Sequence, residues 1–235
     1  MIETLAIIPA RGGSKGVHRK NLQEINDYPL IYYSIKHALE ATMVNRIIVS
    51  SEDQEILDIS KELGAEVPFK RPDKLAEDHI LDWPVFEHAL NFLNDNENYI
   101  PDYVVHLRPT APYRRSQWID EAIQKLIEEP TADSIRSVSE PEKHPYRMFD
   151  ISADGFLDPI MKHRHSEPYL LRRQDLPLIY YYNCVIDVAK TETIIQKKSM
   201  TGDKILPYYM NSKEVMDIDS LADLEYARRF FETLK

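Results

Sequence analysis

Glycines and basic side chains alternate in one short segment near the start of the chain, directly after an apolar run that ends at Pro9. The glycines are Gly12, Gly13 and Gly16, and the basic residues are Arg11, Lys15, Arg19 and Lys20. Because glycine has no Cβ, the N–H groups of such a loop can approach an anion closely, and nearby cationic groups can bind phosphate oxygens. The spacing matches neither a Walker A loop nor the dinucleotide-binding fingerprint. We therefore predict a phosphate-binding loop of another type rather than a solvated turn.

A second polar cluster, at residues 108–114, combines rigidity with charge. Pro109 and Pro112 stiffen the segment, which carries Arg108, Arg114 and the hydroxyl of Thr110. A stiff loop loses little conformational entropy when a ligand binds, so it can preorganise these groups for binding. The same loop could simply connect a strand to a helix, and the local sequence leaves both interpretations open.

Two carboxylates, Asp217 and Asp219, lie two residues apart near the end of the chain. In an extended segment such residues share a face, with Cα atoms about 7 Å apart. A pair of this kind suits Mg²⁺, which usually takes one or two carboxylates together with substrate phosphates. The alternative is helix capping, because Ser220 and Asp223 fit a capping box ahead of a predicted helix at residues 224–234.

Three further features are weaker candidates for chemistry. The adjacent Arg172 and Arg173 suit recognition of a carboxylate or a phosphate. His163 and His165 have no obvious third ligand, so a surface turn is favoured over a zinc site. Cys184 has no base nearby in the sequence, and we interpret it as a packed core thiol.

The elements that must position these residues alternate between short apolar runs and helical patterns. Strands are predicted at residues 5–8, 46–51, 65–67, 103–107, 135–138 and 183–188, and helices at residues 29–41, 53–63, 82–93 and 116–128. Alternation of this kind predicts an α/β fold with a parallel sheet, helices on both faces, and ligands bound beyond the carboxyl ends of the strands. The pattern breaks at about residues 141–182, which indicates an inserted arm within a single domain of residues 1–235.

Composition and charge argue against several classes of function. The 235 residues carry a formal net charge of -10, which disfavours nucleic acid and anionic membranes as partners of the whole surface. Cys184 is the only cysteine, so a reducing compartment is expected. No run approaches the roughly 20 apolar residues of a membrane-spanning helix, and the first residues do not resemble a signal peptide. We expect a cytoplasmic protein whose cationic clusters bind small, specific targets.

Taken together, the motifs resemble those of the acylneuraminate cytidylyltransferases, the CMP-sialic acid synthetases and their relatives that act on other nonulosonic acids. The resemblance rests on "IPARGGSKGVHRKN", "KRPDKLAEDH", "LRPTAPYR", "RRQDLPLIYYYN" and "VMDIDSLADL", in the order and at about the spacing of that family. It implies a Rossmann-like nucleotidyltransferase fold with a mixed, mostly parallel sheet. It also implies an inserted arm that forms a homodimer and reaches towards the partner's site.

The same resemblance implies a reaction in which CTP and an acidic sugar give a CMP-sugar and pyrophosphate, with Mg²⁺ as cofactor. The residues implied to bind the nucleotide are Arg11, Gly12, Gly13, Ser14, Lys15, Lys20, Asn21 and Arg71, of which Arg11, Lys15 and Lys20 also stabilise the departing pyrophosphate. Asp217 and Asp219 are implied to hold the metal, and Asp219 could also act as the base. The residues implied to meet the acceptor are Arg108, Thr110, Arg172, Arg173 and Asn183.

Two positions on the acceptor side depart from the sialic acid pattern. Arg108 stands where glutamine is usual, and Cys184 and Val185 follow Asn183 where glycine and alanine are usual. A legionaminate-like sugar, or another acidic acceptor such as a sugar phosphate or phosphonate, therefore stays open. Arg108 either reads an additional anionic group of the acceptor or pairs with an acidic neighbour. A non-catalytic nucleotide-binding protein is the remaining alternative, against which the intact lysines and aspartates argue.

Overall fold

The computed structural model describes residues 2–161 and 166–234, so the predicted turn at His163 and His165 lies outside the described residues. The strands are β1 (Thr4–Pro9), β2 (Glu24–Ile25), β3 (Tyr28–Pro29), β4 (Arg46–Ser50), β5 (Tyr103–His106), β6 (Ser134–Ser139), β7 (Phe149–Ile151), β8 (Leu157–Pro159), β9 (Tyr181–Lys190) and β10 (Ile205–Tyr209). The α-helices are α1 (Leu30–Glu40), α2 (Gln54–Glu62), α3 (Asp82–Glu97), α4 (Ser116–Glu128), α5 (Thr191–Ile195) and α6 (Leu221–Glu232).

Six strands form the central sheet in the order β10-β6-β9-β5-β1-β4. β1 pairs in parallel with β4 and β5, and β10 pairs in parallel with β6. Only β9 within this sheet runs antiparallel to its neighbours, β5 and β6. The predicted mixed, mostly parallel sheet is therefore confirmed.

Alternating residues of β1 show that helices cover both faces of the sheet. Ala6 and Ile8 belong to the core that includes residues of α1, α2 and α4, whereas Leu5 and Ile7 pack with residues of α3 and α5. Side chains of a strand alternate between faces, so a strand covered on both sides is apolar at most positions. This explains why the central residues of β1, β4 and β5 form apolar runs in the sequence.

Some elements differ from the sequence-based expectation. Residues 65–67 do not form a full strand, because only a single parallel bridge joins Glu66 to Ile48. β10 was not predicted, since its sequence contains Pro207, which cannot donate to a strand ladder. β10 lies at the edge of the sheet, and proline is tolerated at such an edge.

Helix α6, near the end of the chain, packs against residues that lie near its start. Leu224 and Phe231 of this helix pack in one apolar cluster with Ile25 of the β2–β3 hairpin and with Met216 and Ile218. Ser220 and Asp223 form the predicted capping box at the start of α6. The cap therefore uses Asp223, so Asp217 and Asp219 are not the residues that start this helix.

The segment between β6 and β9 contains the small β7–β8 hairpin and exposes many apolar side chains. The large apolar residues exposed there are Met148, Ile151, Phe156, Leu157, Ile160, Leu170 and Leu178. The predicted insertion at about residues 141–182 falls on this segment, which we call the arm. Among the described residues of the whole chain, no helix has the length and apolarity needed to cross a membrane.

We expect acid to destabilise the protein through His37 on α1. Burial lowers the pKa of His37 to about 3, and the positive charge of Arg114 adds to this effect. The unfolded chain binds a proton near pH 6.5 and the folded chain does not, so stability is full above that pH and falls as the pH drops towards 3. The contribution lost between pH 7 and pH 4.5 is roughly 2–3 kcal/mol.

Urea unfolding of the wild type and of His37→Gln at pH 7 and pH 4.5 measures this loss. The variant is expected to lose less unfolding free energy on acidification than the wild type does. His79→Gln is the matched control, because the His79 side chain is 74% exposed. An equal loss in the His37→Gln protein and in the wild type would contradict the assignment.

Candidate active site

A cavity of about 430 Å³ lies at the carboxyl ends of β1 and β5, where ligands of open parallel sheets bind. Its walls come from the loop after β1, the segment that precedes α3, and the loop after β5. The predicted site residues that line it are Arg11, Ser14, Lys15, Lys20, Asn21, Arg71, Arg108, Thr110 and Asp219. Residues from four distant parts of the sequence therefore line the same cavity.

Arg11 and Lys15 converge on one carboxylate, that of Asp78. The guanidinium of Arg11 lies 2.7 Å from Asp78 Oδ1, and the ammonium of Lys15 lies 2.6 Å from Oδ2. Hydrogen bonds from Lys15 and then Arg11 lower the pKa of Asp78. The two cations are thus placed to bind one anion from two sides, which is what a phosphate group requires. Sequence analysis missed Asp78, because a single acidic residue in an acidic chain carries no local signal.

Removing the charge of Asp78 is expected to strengthen nucleotide binding. In the free protein this carboxylate competes with a phosphate for Arg11 and Lys15, so Asp78→Asn should lower the KM for CTP, the nucleotide that the resemblance implies, about twofold to fivefold. The effect is small because both ion pairs are exposed to solvent. Steady-state kinetics at two salt concentrations measures it, and the gain should shrink at high salt. A higher KM for CTP would instead show that Asp78 holds the cations in place.

At Gly12 and Gly16 of the first loop, other parts of the chain approach too closely to leave room for a Cβ. A Cβ at Gly16 would lie 2.1 Å from the carbonyl oxygen of Asp219, and a Cβ at Gly12 would lie 2.5 Å from a carboxylate oxygen of Asp53. The N–H of Gly12 donates to Glu52 at 2.7 Å. A carboxylate of the protein therefore accepts from this N–H, and a role of Gly12 in nucleotide binding stays a prediction. Neither Gly12 nor Gly13 is among the residues that line the cavity.

Lys20 joins the first loop to the segment that carries the two aspartates. Its ammonium donates to the carbonyl of Ile218 at 2.7 Å and to Asp219 Oδ1 at 3.1 Å. The N–H of Ile218 donates to the carbonyl of Thr110 at 2.9 Å. These contacts hold the aspartate segment between the two cavity loops, so the three clusters of the sequence meet at one place.

Asp217 is partly buried and is not among the residues that line the cavity. Its Oδ1 atom is buried and has no hydrogen-bond partner among the described residues. Burial raises the pKa of this carboxyl, the side-chain hydrogen bond with Thr110 lowers it, and the charge of Asp219 raises it further. Within the described part of the chain, no group of three or more His, Cys, Asp or Glu side chains could hold a metal alone. A cation at this pair would therefore need further oxygen ligands from a substrate.

Arg71 and Asn21 line the cavity in different ways. The Arg71 side chain is only 4% exposed and donates to Glu52 at 2.6 Å, while its Nε atom has no partner among the described residues. Asn21 donates to the carbonyl of Arg11 at 2.8 Å. Arg71 thus offers an unpaired donor near the cavity wall, whereas Asn21 fixes the backbone of the first loop.

Arg108 lines the cavity, but acidic neighbours bind its guanidinium. The guanidinium donates to Asp82 at 2.6 Å and to Asp187 at 3.0 Å, and it also contacts the hydroxyl of Tyr182. Of the two interpretations of Arg108, pairing with an acidic neighbour is confirmed. The guanidinium does not present an uncompensated charge to an acceptor.

Arg114 stabilises the loop at residues 108–114 through hydrogen bonds to backbone carbonyls. It is buried, and its guanidinium donates to the carbonyls of Val185 and Arg108 at 2.9 and 3.2 Å. Burial lowers the pKa of Arg114 to about 9, with the charge of Arg108 adding to the effect. Arg114 therefore stabilises the loop that carries Arg108. The 108–114 segment both connects β5 to α4 and lines the cavity.

The remaining predicted acceptor residues lie away from this cavity in the described chain. Asn183 is buried, accepts from the hydroxyl of Ser137 and donates to that of Ser139 at 2.9 Å. These internal hydrogen bonds occupy its amide, and a contact between Asn183 and the acceptor stays a prediction. Arg172 and Arg173 lie in the arm, where Arg172 pairs with Asp175.

Cys184 is partly buried rather than fully packed in the core, so the interpretation of a core thiol is wrong. Its backbone has a φ of 63°, in the left-handed region that favours glycine. The glycine that is usual at this position suits this conformation, because it has no Cβ. The departure from the glycine pattern is therefore a matter of backbone conformation at Cys184.

A mostly parallel α/β sheet with cationic side chains beyond the carboxyl ends of its strands is an architecture that many nucleotide-binding proteins share. The cytidylyltransferase family model matches residues 5–202, and the chain belongs to this family.

Curated relatives match over nearly the whole chain. A pseudaminic acid cytidylyltransferase of Campylobacter jejuni is 29% identical over 98% of this chain and 97% of that protein. A CMP-N,N'-diacetyllegionaminic acid synthase of Legionella pneumophila is 31% identical over 97% of this chain and 96% of that protein. An N-acylneuraminate cytidylyltransferase of Streptococcus agalactiae is 30% identical over 94% of this chain, but over only 52% of that longer protein.

Among solved structures, a CMP:2-keto-3-deoxy-manno-octonic acid synthetase complexed with CTP has a TM-score of 0.73. It is 14% identical, and the match covers 99% of this chain and 100% of that one. This likeness confirms the predicted Rossmann-like fold.

Proposed function

We propose that this protein transfers the cytidylyl group of CTP to a nonulosonic acid, giving a CMP-sugar and pyrophosphate. The observation that carries the proposal is the convergence of Arg11, Lys15, Lys20 and Asp219 on one cavity at the carboxyl edge of the sheet. Membership of the cytidylyltransferase family supports CTP as the nucleotide. The three relatives described above act, by their names, on pseudaminic, legionaminic and N-acylneuraminic acids.

The cavity residues have different roles in this reaction. Arg11, Lys15 and Lys20 bind the phosphates and stabilise the charge that develops on the departing pyrophosphate. The unpaired Nε donor of Arg71 serves the cytosine. Because little covalent chemistry falls to the protein in such a transfer, positioning and charge stabilisation account for most of the catalysis.

The acceptor's anomeric hydroxyl oxygen forms a bond to the α-phosphorus while the bond from that phosphorus to the pyrophosphate oxygen breaks. The hydroxyl proton must leave at the same time, and Asp219 is a carboxylate of the cavity wall that can accept it. Lys20, 3.1 Å from Asp219 Oδ1, holds this carboxylate in place.

Asp217 and Asp219 are the residues that would hold Mg²⁺. The buried Oδ1 of Asp217, which lacks a hydrogen-bond partner among the described residues, suits a cation ligand. The raised pKa of this carboxyl fits as well, since a nearby positive charge would relieve the burial of the carboxylate and its repulsion from Asp219. When bound, Mg²⁺ would polarise the α-phosphate and neutralise charge on the triphosphate.

Pyrophosphate release from CTP tests the proposal directly. The acceptor panel contains pseudaminic acid, N-acetylneuraminic acid, N,N'-diacetyllegionaminic acid and a sugar phosphate, each with and without Mg²⁺. We expect metal-dependent release with at least one of the three nonulosonic acids. Release with the sugar phosphate alone would favour the alternative acceptor class, and no release with any acceptor would favour a non-catalytic nucleotide-binding protein.

We further propose that the protein works in the cytoplasm as a homodimer in which the arm carries Arg172 and Arg173 to the partner's cavity. The apolar side chains exposed on the arm support this proposal, because they suit an interface between two copies. Mixing Asp217→Asn protein with Arg173→Ala protein tests it. If the sites are shared, half of the dimers are mixed and each has one intact site, so about a quarter of the activity returns. No recovery, or a monomer by light scattering, would contradict the proposal.

A further inference from the structure

Glu52 joins two parts of the proposed nucleotide site, although it is not among the residues that line the cavity. It follows β4, which pairs in parallel with β1, so the segment after β4 lies beside the first loop. Oε1 of its carboxylate accepts from the backbone N–H of Gly12 at 2.7 Å. Oε2 accepts from the guanidinium of Arg71, which lines the cavity, at 2.6 Å. One carboxylate therefore bridges the first loop and Arg71.

The orientation of the Arg71 side chain depends on this bridge. The side chain is 4% exposed, and within the described part of the chain its guanidinium makes one hydrogen bond, to Glu52. The backbone of Arg71 is held separately, because its N–H donates to the carbonyl of Ser51 at 2.9 Å. A charge-assisted hydrogen bond confines a long side chain that otherwise has many rotamers. Loss of Glu52 would thus release the guanidinium while the backbone stays in place.

The first loop, in contrast, has anchors that do not involve Glu52. Asn21 donates to the carbonyl of Arg11 at 2.8 Å. The guanidinium of Arg19 lies 3.1 Å from both carboxylate oxygens of Asp53, the residue that caps α2. These contacts tie the loop to itself and to a helix start. The cations that bind the phosphates should therefore keep their places when Glu52 is replaced.

We propose that Glu52 is a positioning residue that orients Arg71 relative to the phosphate-binding loop, so that one CTP molecule can contact both. This inference rests on the proposed function, in which the loop binds the triphosphate and Arg71 the cytosine. It adds the residue that fixes one part of the nucleotide site relative to the other. Preorganisation of this kind favours a ligand that contacts both parts, because less conformational entropy is lost when it binds. Glu52 therefore matters for CTP far more than for a triphosphate without a base.

Calorimetric titration with CTP and with inorganic tripolyphosphate, each with Mg²⁺ and without an acceptor, tests the proposal. Glu52→Gln keeps the volume of the side chain but leaves one acceptor oxygen for two donors. Glu66→Gln is the matched control, because Glu66 also binds a guanidinium, that of Arg46 at 3.0 Å, and is not among the cavity residues. Arg71→Ala and the double variant complete a double-mutant cycle. Thermal unfolding verifies that each protein is folded at the temperature of the titration.

We expect Glu52→Gln to weaken CTP binding about tenfold or more and tripolyphosphate binding less than about twofold. Glu66→Gln should bind both ligands as the wild type does. In the Arg71→Ala background, Glu52→Gln should weaken CTP binding by less than about a further twofold, because the side chain through which Glu52 acts is already absent. A purely structural role of Glu52 would weaken both ligands equally, and its effect would persist in the Arg71→Ala background.

The outcomes separate this inference from the function on which it rests. A wild type that does not bind CTP overturns the proposed function. A wild type that binds CTP, together with a Glu52→Gln protein that binds it equally well or that loses both ligands equally, overturns only the role of Glu52. Arg71→Ala should also lose CTP binding selectively. Absence of that selective loss would overturn the role of Glu52 even if the Glu52→Gln protein did not fold.

Discussion

Replacing Asp217 with asparagine is expected to lower turnover about a hundredfold and to leave the fold intact. The substitution removes one negative oxygen from the proposed cation site, and loss of a metal ligand or its support typically costs one to two orders of magnitude. The fold should survive because Ser220 and Asp223, rather than Asp217, cap α6. Asparagine also keeps an oxygen that can accept the hydrogen bond with Thr110.

Steady-state turnover as a function of Mg²⁺ concentration measures this effect, with circular dichroism and thermal unfolding as checks of the fold. If Asp217 supports the cation, the variant should also need more Mg²⁺ to reach half of its maximal rate. Asp203→Asn is the control for loss of an acidic charge, because Asp203 is 84% exposed and pairs with Lys197, away from the cavity residues. Full activity of the Asp217→Asn protein would exclude a role in the metal site.

Adding one methyl group at Gly16 is expected to lower turnover about a hundredfold. The new Cβ of Gly16→Ala would lie 2.1 Å from the carbonyl oxygen of Asp219, a separation that the backbone cannot tolerate. Either the first loop or the aspartate segment must move, which separates Lys20 from Asp219. A displacement of about 1 Å in a positioning element can cost a hundredfold in rate.

Gly13→Ala provides the matched control within the same loop. A Cβ at Gly13 meets nothing within 4 Å, so its effect on turnover should be far smaller. Circular dichroism and thermal unfolding of the two proteins separate a misplaced loop from a loss of folding. Equal activity of the Gly16→Ala and Gly13→Ala proteins would show that the contact between the loop and Asp219 does not position catalytic groups.

Much of the sheet could be predicted from the sequence, because burial on both faces imposes a pattern that local residues reveal. The central residues of β1, β4 and β5 are apolar, and α4 begins and ends where its periodicity indicates. The cations of the first loop and the two aspartates were likewise visible as local spacing. Sequence reasoning therefore reached the edge of the sheet at which the cavity lies.

Only the tertiary structure decided which partners the charged side chains have. Arg108 binds Asp82 and Asp187, which are 26 and 79 positions away, and this pairing determines whether its charge is available to an acceptor. Asp78 carries no local pattern, because a single acid becomes functional only through what surrounds it. Periodicity records whether a position is buried, whereas electrostatic compensation depends on distances between residues that the chain brings together only when it folds.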